Sequence, residues 1–280
     1  MNHVKTPESH WNRNAQHWQL LTSPLRPCSE DVAVYQQIIR RWRADAGNPP
    51  CRVLALGVTP ELRTLDWPTD TELLACDRSH AMIATNWPRA EFPGKLATPI
   101  CADWRTLPLP TGSCNIAIGD GSASMLALVD DLPSAGRELD RILGQNATLI
   151  LRLFVRPQIT EEIADIAADA TAGRIVSFHT FKWRLAMALQ GDAGAGVRLA
   201  DIWDNFTAQF PDRQVLARHT GWLPEAIATI DSYRDATARY HFHHLDEIAA
   251  ALPGFVIYSA HTPTYELGER CPIIAARRPR

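Results

Sequence analysis

Gly57 and three aspartates carry the first chemical signal in this sequence. Gly57 follows the short apolar run Val53-Leu54-Ala55-Leu56, and Asp77 follows a second run, Leu73-Leu74-Ala75-Cys76. Asp103 ends Pro99-Ile100-Cys101-Ala102, and Asp120 stands just beyond the run from Cys114 to Ile118. A glycine after a buried strand permits a sharp turn and lets a ligand come close to the backbone. A carboxylate at the tip of the next strand can accept hydrogen bonds from both hydroxyls of a ribose. Gly57 and Asp77 therefore read as half of a nucleotide-binding unit, with a purely structural turn as the competing reading. A second set of residues could move protons: His179, His219, His241, His243 and His244. Histidine is the side chain that titrates nearest neutrality. His241, beside Tyr240, is the candidate general base. His243 and His244 read as solvated residues at a helix start, and His179 as a packed or exposed helical residue. Three histidines within four residues lack carboxylate or cysteine companions at ligand spacing, so no metal site is expected.

Strand and helix patterns must bring these residues together. The spacing of Trp11, Ala15, Trp18 and Leu21 predicts a short helix, broken by Thr22-Ser23-Pro24-Leu25-Arg26-Pro27. Ser29 reads as the N-cap of a second helix carrying Val32, Tyr35, Ile39 and Trp42. Strands follow at Val53 to Leu56, Leu73 to Cys76, Pro99 to Asp103, Cys114 to Ile118 and Ala147 to Phe154. Helices alternate with them, one starting at Ser79 and another running from Ser134 to Leu143 and closed by Gly144. This alternation predicts a parallel sheet covered by helices. From Pro157 to Tyr240 only helices are expected: Thr160 to Ala172, one marked by Phe178, Phe181, Leu185 and Leu189, one by Leu199 to Phe210, and one by Ile227, Ile230 and Tyr233. His244 to Leu252 resumes the alternation, and strands at Phe255 to Ala260 and Cys271 to Ala276 complete it. Trp11, Trp18, Trp183, Trp203 and Trp222 read as core for the most part, with some able to line an acceptor pocket. Lys182 and Arg184 read as a solvated face, and Arg26 as a loop residue able to pair with a carboxylate.

The ordered set Gly57, Asp77, Asp103 and Asp120 at four successive strand tips resembles the class I S-adenosylmethionine-dependent methyltransferases. The resemblance covers about residues 11–154 and 241–276. It implies an α/β fold: a Rossmann-like methyltransferase sheet, mostly parallel with an antiparallel last strand, helices on both faces and a helical cap after the fifth strand. The implied domains are 1–156 for cover helices and cofactor core, 157–240 for a substrate-selecting insertion, and 241–280 for completion of the core. The implied cofactor is S-adenosyl-L-methionine, with S-adenosyl-L-homocysteine as product. The turn Gly57, Val58, Thr59, Pro60 and Glu61 would meet its methionine part, although Thr59 and Glu61 replace usual glycines and Ala55 replaces a frequent acid. Asp77 would hold the ribose, Arg78 and Met82 would flank the adenine, and Asp103 with Trp104 would bind its amino edge. Asp120, Gly121 and Ser122 would face donor and acceptor, making Asp120 and His241 the catalytic candidates. Trp18, Arg26, Trp183 and Tyr240 are the substrate-binding candidates.

The expected reaction is methyl transfer to an oxygen or nitrogen of a small molecule. The alternative is a protein that binds the cofactor without turnover, as a sensor or partner subunit. A nicotinamide-dependent reductase would show Gly-x-Gly-x-x-Gly after the first strand, and Gly57-Val58-Thr59-Pro60-Glu61-Leu62 does not. Among 280 residues, 46% are hydrophobic and 21% charged, the profile of a globular protein with a sizeable core. A formal net charge of −3 argues against a nucleic-acid partner, the C-terminal arginines from Arg277 being too few to form a basic patch. No apolar run nears the roughly 20 residues of a membrane span, and no secretory leader is read at the N-terminus. The 6 cysteines form no Cys-x-x-Cys pair; Cys51, Cys76, Cys101 and Cys114 read as small hydrophobes in or beside strands. A reduced, cytoplasmic protein is expected.

Overall fold

The computed structural model describes residues 11–279 except 12, 14, 16, 88–95 and 193. The opening of the N-terminal segment and Arg280 thus lie outside the described residues. Strand β1 (Arg52–Leu56) sends alternate side chains to opposite faces, as the two-residue period of a strand requires. Val53 and Ala55 join one apolar cluster, which includes Tyr35 and Ile39 of helix Ser29–Asp45. Leu54 and Leu56 join another, with Leu132, Ala135 and Leu139 of helix Asp131–Ile142 and Ile248 of helix Leu245–Ala250. An unbroken apolar run is what a strand covered on both faces demands.

Among the described residues one sheet has seven strands in the order β3-β2-β1-β4-β5-β9-β8. The others are β2 (Glu72–Asp77), β3 (Leu96–Cys101), β4 (Cys114–Asp120), β5 (Leu143–Arg152), β8 (Val256–His261) and β9 (Ile273–Arg277). β1 to β5 pair in parallel, and β9 is antiparallel to both of its neighbours. Leu56 stands opposite Cys76 on one side and Gly119 on the other. This register brings Gly57, Asp77 and Asp120 to one edge. The strand order reverses between β1 and β4, and open α/β sheets bind ligands at the carboxyl ends beside such a switch point.

Between β5 and helix Leu245–Ala250 the chain builds helices Ile163–Thr171, Phe178–Leu189, Leu199–Gln209, Arg213–Thr220 and Pro224–Ala228, then a 3₁₀ turn, Thr229–Tyr233. They share an aromatic core of Phe178, Phe181, Phe206 and Trp222. A short ladder of β6 (Val197–Arg198) with β7 (Arg239–Tyr240) ties the segment together. The chain leaves and rejoins the sheet at one point, where Val155 bridges His243 and the Arg156 N–H donates to His243 O at 3.1 Å.

Several boundaries differ from the sequence reading. β3 stops at Cys101, because Asp103 turns the chain by accepting the Arg105 N–H at 2.9 Å. The helix expected from Ser134 starts at Asp131, and Gly144 lies inside β5 rather than closing the helix. Cys28, not Ser29, is the N-cap of the long helix, with its N–H donating to the Asp31 carboxylate at 2.8 Å. Helix Arg213–Thr220 was not expected, although Asp212 caps it through the Gln214 and Val215 N–H groups and Gly221 ends it. Cys101 is exposed, with its thiol sulfur 3.4 Å from His80 Nε2.

Candidate active site

The site starts at the β1 turn. Gly57 has φ +101°, a conformation strained for other residues, and its N–H donates to Cys76 O at 2.8 Å. The Trp104 indole N–H donates to the same carbonyl at 2.7 Å, setting its ring beside the turn. Thr59 then leads into helix Pro60–Arg63, with proline at its first position, where the missing N–H costs nothing.

Asp77 ends β2. Its Oδ1 accepts the Ser79 N–H at 2.8 Å, and Ser79 in turn caps helix His80–Asn86. Burial pushes the carboxyl up to about 6, against the pull of that backbone bond and of the Arg78 charge and backbone N–H. A desolvated carboxylate at a strand tip is a good acceptor for ligand hydroxyls.

Asp120 ends β4 and is held from behind. Arg152, at the end of β5, donates through Nε to Asp120 Oδ1 at 2.6 Å, and both side chains are buried. Burial pushes the Asp120 carboxyl up, and the Arg152 charge opposes it. Arginine stays protonated in proteins, so the short bond is charge-assisted. Arg152 Nη1 also donates to Pro24 O at 2.9 Å and lies 3.1 Å from the Tyr265 hydroxyl, which donates to Asp31 at 3.1 Å. The Tyr35 hydroxyl accepts the Arg152 backbone N–H at 2.9 Å and donates to Gly119 O at 2.7 Å. The two central strand tips, the long helix and the N-terminal cover are thus joined by one buried polar network.

Two further walls face the strand tips. The N-terminal cover supplies Trp11, Trp18, Leu21 and Leu25. It is tied down by Arg26, which pairs with Glu61 and lies over the Trp18 ring at 5.8 Å. The helical segment supplies Lys182, Trp183, Tyr233 and Tyr240, with Phe154 next to them. Trp183 meets Phe154 and Tyr240 edge-on at 5.1 and 5.0 Å, and the Tyr233 and Tyr240 hydroxyls lie 3.1 Å apart. The walls flank a partly open cleft whose lining is mostly apolar with a few polar groups, the make-up usual for small-molecule sites.

Of the sequence candidates, Gly57, Val58, Thr59, Asp77, Met82, Trp104, Asp120, Gly121, Ser122, Trp18, Trp183 and Tyr240 line this cleft. Pro60, Glu61, Arg26, Arg78, Asp103 and His241 are not in its lining. Asp103 is clamped by Arg105 at 2.9 and 2.6 Å, which holds its carboxyl below the usual range, with Arg78 at 3.7 Å. The His241 backbone N–H donates to Ser124 O at 2.9 Å, and its ring packs on Gly196, where an added Cβ would lie 2.5 Å from Nδ1. Burial pushes the His241 imidazole down, as does nearby His243.

Three expectations about charge are corrected. His243 is 1% exposed rather than solvated, its Nε2 lying 2.9 Å from Leu126 O. Arg184 is no solvated arginine, since it reaches Asp169 at 2.7 Å and also pairs with Glu161. Lys182 is 1% exposed, and it lines the cleft. Lys182 was missed although Phe178, Lys182, Leu185 and Leu189 share one helical face, so its place on the apolar stripe was legible. His179 is buried with Nε2 2.9 Å from Leu20 O, and burial pushes it down to about 3. His219 is exposed. Among the described residues no group of three or more His, Cys, Asp or Glu could hold a metal ion, and no helix is long and apolar enough to cross a membrane.

No protein-family model and no curated protein matches the sequence. Solved structures do match its fold. A Rhodobacter sphaeroides protein provisionally named a Zn-dependent alcohol dehydrogenase aligns over 99% of this chain and 100% of that one, at 12% identity and TM-score 0.62. The CcbJ methyltransferase of Streptomyces caelestis aligns over 97% and 98%, at 11% identity and TM-score 0.54. The PH0226 protein of Pyrococcus horikoshii aligns over 94% and 98%, at 11% identity and TM-score 0.50. The chain has the Rossmann-like fold of the class I S-adenosylmethionine-dependent methyltransferases, with its mostly parallel seven-stranded sheet and antiparallel last strand.

Proposed function

We propose that this methyltransferase-fold protein is an S-adenosylmethionine-dependent enzyme that methylates an oxygen or nitrogen of a small molecule. The observation that carries this is the cleft at the β1/β4 switch point, with Gly57 at positive φ and the desolvated Asp77 carboxylate at adjoining strand tips. The residues present fit the cofactor. The nearest atom to a Cβ built on Gly57 is Trp104 Cζ2 at 3.9 Å, so the turn leaves room for close approach. Glu61, which replaces a usual glycine, is drawn off by Arg26 and does not fill the cleft. Asp77 would accept the ribose hydroxyls, with Met82 and Trp104 against the base and Gly57 to Thr59 along the amino-acid tail.

When bound, S-adenosylmethionine supplies a methyl group on a sulfonium sulfur. The donor is already activated, so the chain's task is to align the acceptor and keep water out. Trp11, Trp18 and Leu25 from the cover, with Trp183 and Tyr240 from residues 157–240, suit that task. In this reading the helical segment selects the acceptor, and Asp120, fixed by Arg152, orients groups at the reaction centre rather than taking a proton.

Calorimetry with S-adenosylhomocysteine tests the cofactor site. Asp77→Ala removes a charged acceptor of two hydroxyls, worth about 1.5–3 kcal/mol per bond, so affinity should fall at least about tenfold. Absence of binding by the unaltered protein would overturn the reading. Conversion of S-adenosylmethionine to S-adenosylhomocysteine with an acceptor present separates an enzyme from a protein that only binds the cofactor.

A further inference from the structure

We propose that Lys182 accepts the proton of the acceptor molecule, and that this acceptor is a flat compound bearing an acidic hydroxyl, a phenol or an enol. The inference rests on the methyltransferase reading and narrows its acceptor from any oxygen or nitrogen to this class.

The geometry around Lys182 is unusual for a lysine. It is 1% exposed and lines the cleft from helix Phe178–Leu189. Among the described residues no carboxylate pairs with it. Its Nζ donates to Thr229 Oγ1 at 3.3 Å and lies 5.0 Å from the Tyr233 ring centre and 5.9 Å from that of Phe178. The Thr229 hydroxyl proton is committed to Ala226 O at 2.6 Å, so Thr229 only accepts from the amine. The nitrogen lone pair of the neutral amine is therefore left unclaimed by Thr229.

The charged and titratable groups around it leave the amine as the group poised to titrate. His179, one turn back on the same helix, is held neutral by burial. Tyr233 and Tyr240 are both pushed up by burial and stay as phenols. Of the carboxylates that line the cleft, Asp120 is matched by Arg152, and Asp77 is the one assigned to the cofactor. Burial alone draws Lys182 down to about 7, so near neutral pH it can take a proton.

A buried amine without a counter-ion discriminates among acceptors. An alkylamine acceptor would bring a second cation into the cleft, and like charges at close range are unfavourable. An acidic hydroxyl resolves the situation: its proton moves to Lys182 Nζ, its bonding pair stays on oxygen, and an ammonium–oxyanion pair replaces two neutral groups. The oxyanion is the better nucleophile for a methyl centre. The aromatic edges of Trp183, Phe154 and Tyr240 form a wall suited to a flat ring. The Tyr233–Tyr240 hydroxyl pair offers a donor for a second polar substituent.

Binding of 4-nitrophenol, whose phenolate is yellow, reads the proton directly and without turnover. It is titrated from pH 5 to 9 against unaltered protein and Lys182→Met, each with and without S-adenosylhomocysteine. An adjacent ammonium should lower the pKa of the bound phenol by roughly one to three units. Lys182→Met should bind S-adenosylhomocysteine equally well yet leave that pKa at or above its free value. 4-Nitroanisole has a similar outline but no proton, and with the unaltered protein alone it should bind more weakly and without pH dependence. The proposal is overturned if both proteins ionise the phenol alike, if the anisole binds as tightly as the phenol, or if unaltered protein that holds S-adenosylhomocysteine leaves the phenol unbound. A phenolate signal without any S-adenosylhomocysteine binding would support the Lys182 site and remove the methyltransferase reading instead.

Discussion

Replacing Lys182 with methionine should stabilise the protein, and the gain should depend on pH. In the folded protein burial draws the amine from 10.5 down to about 7. The unfolded chain therefore binds more protons than the folded one between those values. By linkage, stability rises with pH across that window. The destabilisation is present in full below about pH 7 and fades as the pH climbs towards 10.5. At about 1.4 kcal/mol per unit the full effect approaches roughly 5 kcal/mol. Relaxation of the cavity and loss of the Thr229 bond reduce what a substitution recovers. We expect Lys182→Met to be more stable by roughly 2–4 kcal/mol at pH 6, shrinking to under about 1 kcal/mol at pH 10. Urea unfolding of both proteins at pH 6, 8 and 10 measures this, and the other titrating groups cancel in the comparison. An unaltered protein as stable as the variant at pH 6, or a difference constant with pH, would refute the description of Lys182 as buried and unpaired.

Three other expectations follow from the same network of residues. Because burial raises Asp77 to about 6, and the ribose hydroxyls need its ionised form, S-adenosylhomocysteine affinity should weaken as pH falls through 6; Asp77→Asn should bind weakly with little pH dependence, and a flat profile in the unaltered protein would count against Asp77. Tyr35→Phe removes a hydroxyl that serves Gly119 O and the Arg152 N–H, breaking two buried hydrogen bonds; denaturant melts should show a loss of about 2–4 kcal/mol. His241 is not in the lining of the cleft, so His241→Ala should leave S-adenosylhomocysteine affinity and turnover close to unaltered; a loss of about a hundredfold in rate would return it to the role of general base.

The sequence alone determined the frame of this protein. Apolar runs ending in Gly57, Asp77 and Asp120 read as strands buried on both faces, and the helical patterns between them made a parallel sheet the expected arrangement. Their order along the chain, together with helical stripes between them, was enough to read the sheet, the strand tips that border the cleft and a helical segment after β5. Local rules failed where partners come from far along the chain. Asp103 ends an apolar run much as Asp77 does, but there the strand-tip pattern overlooked a local partner, Arg105 two residues on, which already occupies the carboxylate. Asp120 reads as a free acid until Arg152, 32 residues later, is found against it. His241 and Lys182 exchange significance for the same reason. A histidine near a chain junction looked available, and a lysine beside an arginine looked solvated. Whether a titratable group faces a cleft, water or a neighbouring ring depends on packing between helices Phe178–Leu189 and Leu199–Gln209, the turn Thr229–Tyr233 and the sheet. That packing is a sum of many weak, distant contacts that no local spacing encodes.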